Sequence, residues 1–199
     1  MKLETYMVKQ GENASAYITF PTTRKALRKR LQKIGVVKND WKIVAVKTGC
    51  NAFADAVIAC RNLDELNYMG FWFSQFSEEE YYLFFELANA GCAEGGLLTD
   101  YINLASNIKC FFRLEGIKDT RTLGRYIVAG YLRKHGEEAP EIIANLHDEL
   151  EDVGLQHAAE YHGRFYNGNF YGRFSTWSQT YNGEDDDIPD FLCIDSIRI

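Results

Sequence analysis

The chain has 199 residues, 46% of them hydrophobic and 14% aromatic, with a formal net charge of −6. That composition belongs to a chain that buries a core and excludes a disordered tail. The lack of any apolar run of about 18 residues excludes a membrane-spanning helix. Met1–Tyr17 lacks the apolar core of a secretory signal, so the expected compartment is the cytoplasm. Cys50, Cys60, Cys92, Cys110 and Cys193 are odd in number and scattered, with no CxxC; they are expected as reduced thiols, not a disulfide or zinc framework.

Residues 1–60 carry eleven Lys/Arg against four Asp/Glu and read as a small α+β unit. Two strand-like runs, ETYMVKQ from Glu4 and SAYITF from Ser15, are joined by Gly11-Glu12-Asn13. Next comes TTRKALRKRLQKIG, Thr22 to Gly35, with six cations in fourteen residues. Thr22 or Thr23 caps its start, Leu27, Leu31 and Ile34 form one buried stripe, and Gly35 ends it. WKIVAVKTG then begins a further strand at Ile43 and Val44. The basic helix fits a solvated outer face. It also fits a nucleic-acid surface, with Arg24, Lys25, Arg28 and Lys29 as the contacts.

Residues 61–115 hold three Lys/Arg against nine Asp/Glu and read as mainly helical. Asn62 with Glu65, and Ser77 with Glu80, are helix-opening pairs; the second has the full capping-box form. TDYINLASN reads as another helix and IKCFFRLEG as a strand.

Residues 116–199 hold eight Lys/Arg against fifteen Asp/Glu and read as a mixed α+β unit. DTRTLGRYIVAGYL opens at a cap, Asp119 or Thr120. APEIIANLHDELEDVG reads as one helix, with Pro140 in its first turn, Ile142, Leu146, Leu150 and Val153 inside, and Gly154 ending it. RFYNGNFYGRF reads as a hairpin about Asn-Gly, NGEDDDIPD as a solvent loop, and FLCIDSIRI as a closing strand. The fold class expected is α+β, in three sections: 1–60, 61–115 and 116–199.

No motif for catalysis stands out. There is no Walker loop, no GxGxxG after a strand and no GxSxG. His147, His157 and His162 lack the i, i+4 spacing of a zinc-protease helix. No enzyme, metal site or cofactor is expected. Aromatics interleaved with Arg in GRFYNGNFYGRFSTW could stack bases, but with acidic flanks and no continuous basic groove the expectation is the two faces of a half-buried hairpin. The carboxylates are more suggestive. Glu137, Glu138, Glu141, Asp148, Glu149, Asp152 and Glu160 cluster about the helix from Pro140, with Glu78, Glu79, Asp185, Asp186 and Asp187 behind them. Asp148 and Asp152 lie one turn apart, a rise of about 6 Å, against about 6.8 Å for two steps of a DNA strand. Such a face can stand in for phosphates.

The order of motifs, AYITFPTTRKALRKRLQKIG, NLDELNYM, TDYINLASNI and DTRTLGRYIV, resembles the ArdA-type antirestriction proteins over about Met7 to Phe174. The family pattern is a "tFP" strand end leading into a helix closing at "IG", an "ELN" helix, an "INL" segment and a unit opening with "LG". The resemblance implies an elongated homodimer of three small domains per chain, with the dimer contact in the C-terminal one. It implies a non-enzymatic protein of a mobile genetic element whose carboxylates mimic DNA in the groove of type I restriction–modification enzymes. This chain departs from the family in its basic first section, where relatives are acidic throughout. Mimicry is then confined to residues 61–199. Alternatively the function has moved toward nucleic-acid binding through the basic end, or toward inhibiting another defence nuclease.

Overall fold

The computed structural model describes residues 1–37, 40–136, 139–146 and 148–194. The fold is α+β, with two three-stranded antiparallel sheets and eight α-helices among the described residues. By its contacts the chain divides into two units: residues 1–108 with the segment returning from Ser178, and residues 109–177. This division differs from the three sections read from the sequence.

In unit 1, β1 (Leu3–Lys9) pairs antiparallel with β2 (Ser15–Phe20) and with β3 (Trp41–Val46), in the order β2-β1-β3. The alternation Leu3, Thr5, Met7 and Ile18, Phe20 puts one sheet face into the core. Helix α1 (Arg24–Lys33) opens at Thr23, whose hydroxyl accepts from Ala26 N at 3.3 Å, and buries Leu27 and Leu31. Gly35 follows at φ +77°, the left-handed position that ends the helix.

Helix α2 (Asn51–Ala59), which the sequence reading did not anticipate, leads to α3 (Leu63–Gln75), α4 (Glu78–Asn89) and α5 (Leu98–Ser106). The expected openings are there: Asn62 Oδ1 accepts from Asp64 N and Glu65 N, and Ser77 and Glu80 form the reciprocal capping box. The sheet and the helices share a core, so no boundary falls at residue 60. Phe53 of α2 meets Phe73 of α3, Phe84 of α4 and Tyr101 of α5 at ring-centre distances of 5.6, 5.6 and 5.2 Å. A Cβ at Gly70 of α3 would stand 2.5 Å from the Phe20 backbone carbon, so only glycine allows α3 this close to the end of β2.

The returning segment is fastened by side-chain amides. Asn103 Oδ1 accepts from Thr180 N at 2.8 Å and Tyr181 N at 2.9 Å, while its Nδ2 donates to Tyr181 O at 2.7 Å. Asn107 pairs reciprocally with the Ser178 backbone, at 3.1 Å to N and 2.7 Å to O. Asn67 accepts from Thr22 N at 2.7 Å and donates to Leu192 O at 2.8 Å, and Ile194 N donates to the Asp64 carboxylate. These side chains engage Leu192 and Ile194, which the sequence reading placed in a closing strand. A 3₁₀ turn at Asp190–Leu192 stands there instead, and residues 195–199 lie outside the described residues.

Unit 2 has the sheet order β4-β6-β5, from β4 (Phe111–Leu114), β5 (Arg164–Tyr166) and β6 (Asn169–Arg173). The hairpin is as expected: Asn167 and Gly168 take φ +47° and +77°, the pair of left-handed residues of a type I′ turn. Helix α6 (Thr120–Lys134) is capped by Asp119, whose carboxylate accepts from Thr122 N at 2.8 Å. Bonds from the Thr122 side chain and backbone hold the Asp119 carboxyl below its ordinary pKa.

The helix expected from Pro140 to Gly154 is two helices, α7 (Ala139–Ala144) and α8 (Asp148–Glu160). Asn145 N and Leu146 N bond to acceptors three residues back, a tightened turn that closes α7. Gly154 does not end the helix but lies inside α8, where a Cβ would run into the Thr120 carbonyl oxygen of α6. Gly124 meets the Leu150 carbonyl in the same way, so the two glycines let the helix backbones touch.

Candidate functional site

Helix α8 carries four of the seven carboxylates expected in unit 2. Leu150 and Gly154 are buried, and Asp148, Glu149, Asp152 and Glu160 fall within a helical arc of about 120° on the opposite side. Glu149, Asp152 and Glu160 are exposed. Asp148 is placed by its backbone, in the first turn, where acidic residues suit the helix dipole. Two neighbours temper this face: Glu160 lies 3.7 Å from His157, and Glu151 lies 3.9 Å from Arg121 of α6. Helix α6 carries Arg121, Arg125, Arg133 and Lys134, so unit 2 as a whole holds nine Lys/Arg against ten Asp/Glu.

The other acidic residues are dispersed. Glu141 belongs to α7, not to the helix of Asp148, so the sequence-read array does not run along one helix. Glu137, Glu138 and His147 lie outside the described residues. Glu78 and Glu79 are exposed in the first turn of α4, and Asp186 and Asp187 are exposed in a 3₁₀ turn (Asp185–Asp187), all in unit 1. Asp185 shares that turn by its backbone.

The basic candidates Arg24, Lys25, Arg28 and Lys29 are all exposed on α1. Helical geometry puts Arg24 and Arg28 on one flank and Arg30 and Lys33 on the other, with Lys25 and Lys29 on the outer face between them. Arg24 Nη2 reaches the Cys193 carbonyl at 3.5 Å. Lys29, Arg30 and Lys33 line a cavity of about 510 Å³ between α1 and the edge strand β2, completed by Ser15, Ala16 and Tyr17. Reading the helix alone missed Arg30 and Lys33. Their signal was their place on the side of the stripe that faces the edge strand.

The hairpin aromatics serve mainly as core. Phe170 and Tyr171 are buried, and Phe165 packs on Phe170 at 5.2 Å between ring centres. Phe174 is exposed, and the Arg173 guanidinium stands 4.5 Å over the Trp177 ring. A smaller cavity of about 340 Å³ lies there, lined by Glu160, Tyr161, His162, Arg173, Phe174 and Trp177. Among the described residues no three His, Cys, Asp or Glu side chains are grouped to hold a metal ion. Burial raises the Cys60 thiol to about 12, so it stays protonated at neutral pH. No described helix is long and apolar enough to cross a membrane.

No protein-family model and no curated protein matches the chain.

Proposed function

We propose that this chain is a non-catalytic, cytoplasmic antirestriction protein of a mobile genetic element that occupies the DNA-binding groove of a type I restriction–modification enzyme. The observation that carries the reading is the outward face of α8. From Asp148 to Glu160 it spans about 18 Å, the axial length of about five phosphate steps in one DNA strand. Glu149, Asp152 and Glu160 stand exposed along it. A groove built to hold phosphates without regard to sequence is strongly positive, and it attracts an anionic surface of suitable spacing. Glu78, Glu79, Asp186 and Asp187 add to the negative surface of unit 1. The motif order described above supports the same assignment, and with it a homodimer. Tyr126, Tyr131 and Leu155 are among the exposed apolar side chains that unit 2 offers for such a contact.

The test is a series of neutralising substitutions at Asp148, Glu149, Asp152 and Glu160, to Asn or Gln, assayed for inhibition of a type I enzyme. An exposed charge contributes about 0.2–1 kcal/mol. One change is therefore expected to raise the inhibitory concentration by about fivefold at most, and all four by about a hundredfold. A single change that abolished inhibition in a folded protein would contradict a distributed carboxylate surface.

A further inference from the structure

Helix α1 is charged in a way that its own stability does not favour. Its first turn holds no acidic residue and begins with Arg24 and Lys25, although the positive end of the helix dipole favours carboxylates there. Arg24/Arg28, Lys25/Lys29 and Lys29/Lys33 are like charges four residues apart, which destabilise a helix. Among the described residues, none of its six cations forms an ion pair. A face that served only hydration would be as well served by mixed signs. An anion in contact would relieve this arrangement.

The cavity between α1 and β2 is where such an anion fits. Lys29, Arg30 and Lys33 line it, and among the described residues no carboxylate does. Arg30 Nη1 donates to the Tyr17 carbonyl of the edge strand, which fixes the guanidinium and leaves its other N–H groups available. Lys29 and Lys33 are separated by a rise of about 6 Å, close to about 6.8 Å for two steps of a nucleic-acid strand. We infer that this concavity binds the phosphodiester backbone of a nucleic acid, with Lys29, Arg30 and Lys33 as the phosphate contacts. The ligand is a nucleic acid in preference to an acidic peptide added to the sheet edge. Such a peptide would pair with the backbone of β2, and Arg30 already occupies one of its carbonyls. Contacts of this kind position a backbone without reading bases, so the binding is independent of sequence.

The inference stands apart from the mimicry reading, which uses other residues. Its test is the fluorescence anisotropy of labelled duplex DNA and of labelled single-stranded RNA, titrated with the full-length protein over a range of salt. Three phosphate contacts give a slope of log affinity on log salt of about −2.7 for duplex, or about −2.1 for a single strand. Affinity for the duplex then falls about 40-fold between 50 and 200 mM salt. The K29Q/K33Q double variant is expected to bring these slopes to about −0.9 and −0.7. It should stay folded, because it removes like-charge pairs from an exposed face, and circular dichroism checks this. R24Q/R28Q, on the other flank, is expected to keep the wild-type slope. The two probes compared show whether duplex or single strand is the better ligand. Absence of binding to both at 50 mM salt would overturn the inference. So would slopes unmoved by K29Q/K33Q, or equal loss in R24Q/R28Q. Displacement of the nucleic acid by an equimolar polyglutamate peptide would also overturn it, in favour of an acidic protein partner. Restriction inhibition by K29Q/K33Q is expected to equal that of the wild type, so failure of either proposal is seen separately.

Discussion

Gly124→Ala is expected to destabilise unit 2 by about 3 kcal/mol or more, the upper range for forcing extra volume into a packed contact. The added Cβ would run into the Leu150 carbonyl oxygen of α8, a backbone atom that no rotamer change can move aside. The helices α6 and α8 would have to separate, and Leu123, Leu132 and Leu150 would lose their burial. Gly130→Ala in the same helix is the control. Gly130 has open space around its Cβ position and is exposed, so alanine there is expected to stabilise by about 0.5–1 kcal/mol through helix propensity. Urea denaturation of the two variants measures both effects, and equal signs would contradict the close helix contact.

Asn103→Ala is expected to cost about 3 kcal/mol and to release the returning segment of unit 1. Asn103 is buried and its amide serves as a strand neighbour would, accepting from Thr180 N and Tyr181 N and donating to Tyr181 O. A further bond, from Nδ2 to Thr99 O at 3.0 Å, ties it to its own helix. Alanine would leave the Tyr181 backbone groups buried without these partners, at about 1–3 kcal/mol for each stranded group. The Tyr181 ring is fully buried and its hydroxyl donates to Glu65 Oε1 at 2.9 Å, so loosening spreads to α3. Hydrogen exchange at Thr180 and Tyr181 is the sensitive readout. It should become fast in the variant while the β1–β2 amides remain protected. Unchanged protection at residues 178–194 would show that Asn103 is not the fastening.

These two residues also explain what the sequence made legible. Asn67, Asn103 and Gly124, and the contact of the Phe20-Pro21 strand end with Gly70, each hold the fold together. Helix caps, the hairpin turn and the buried stripes were readable because their signals are local. Helix α2 was missed because nothing punctuates it: Cys50 stands at its N-cap position without a side-chain cap bond. The pairing of Asn103 and Asn107 with residues more than 70 positions away leaves no local signal, so the division into units was not readable. The end of α7 and the continuation of α8 through Gly154 depend on where α6 passes, which one helix cannot report about another. For the candidate surfaces, the sequence located the charges, but the packing of α1 beside an edge strand decides which cations share a cavity.

The proposed function requires that the carboxylate face displace DNA from a type I restriction–modification enzyme. The most direct measurement is a competition titration, with the purified enzyme bound to a labelled recognition duplex and the full-length protein added. Displacement at near-stoichiometric concentration is expected, with loss of DNA cleavage in step and with the quadruple neutralised α8 variant about a hundredfold weaker. Retention of the duplex by the enzyme through a large excess of folded protein would contradict it.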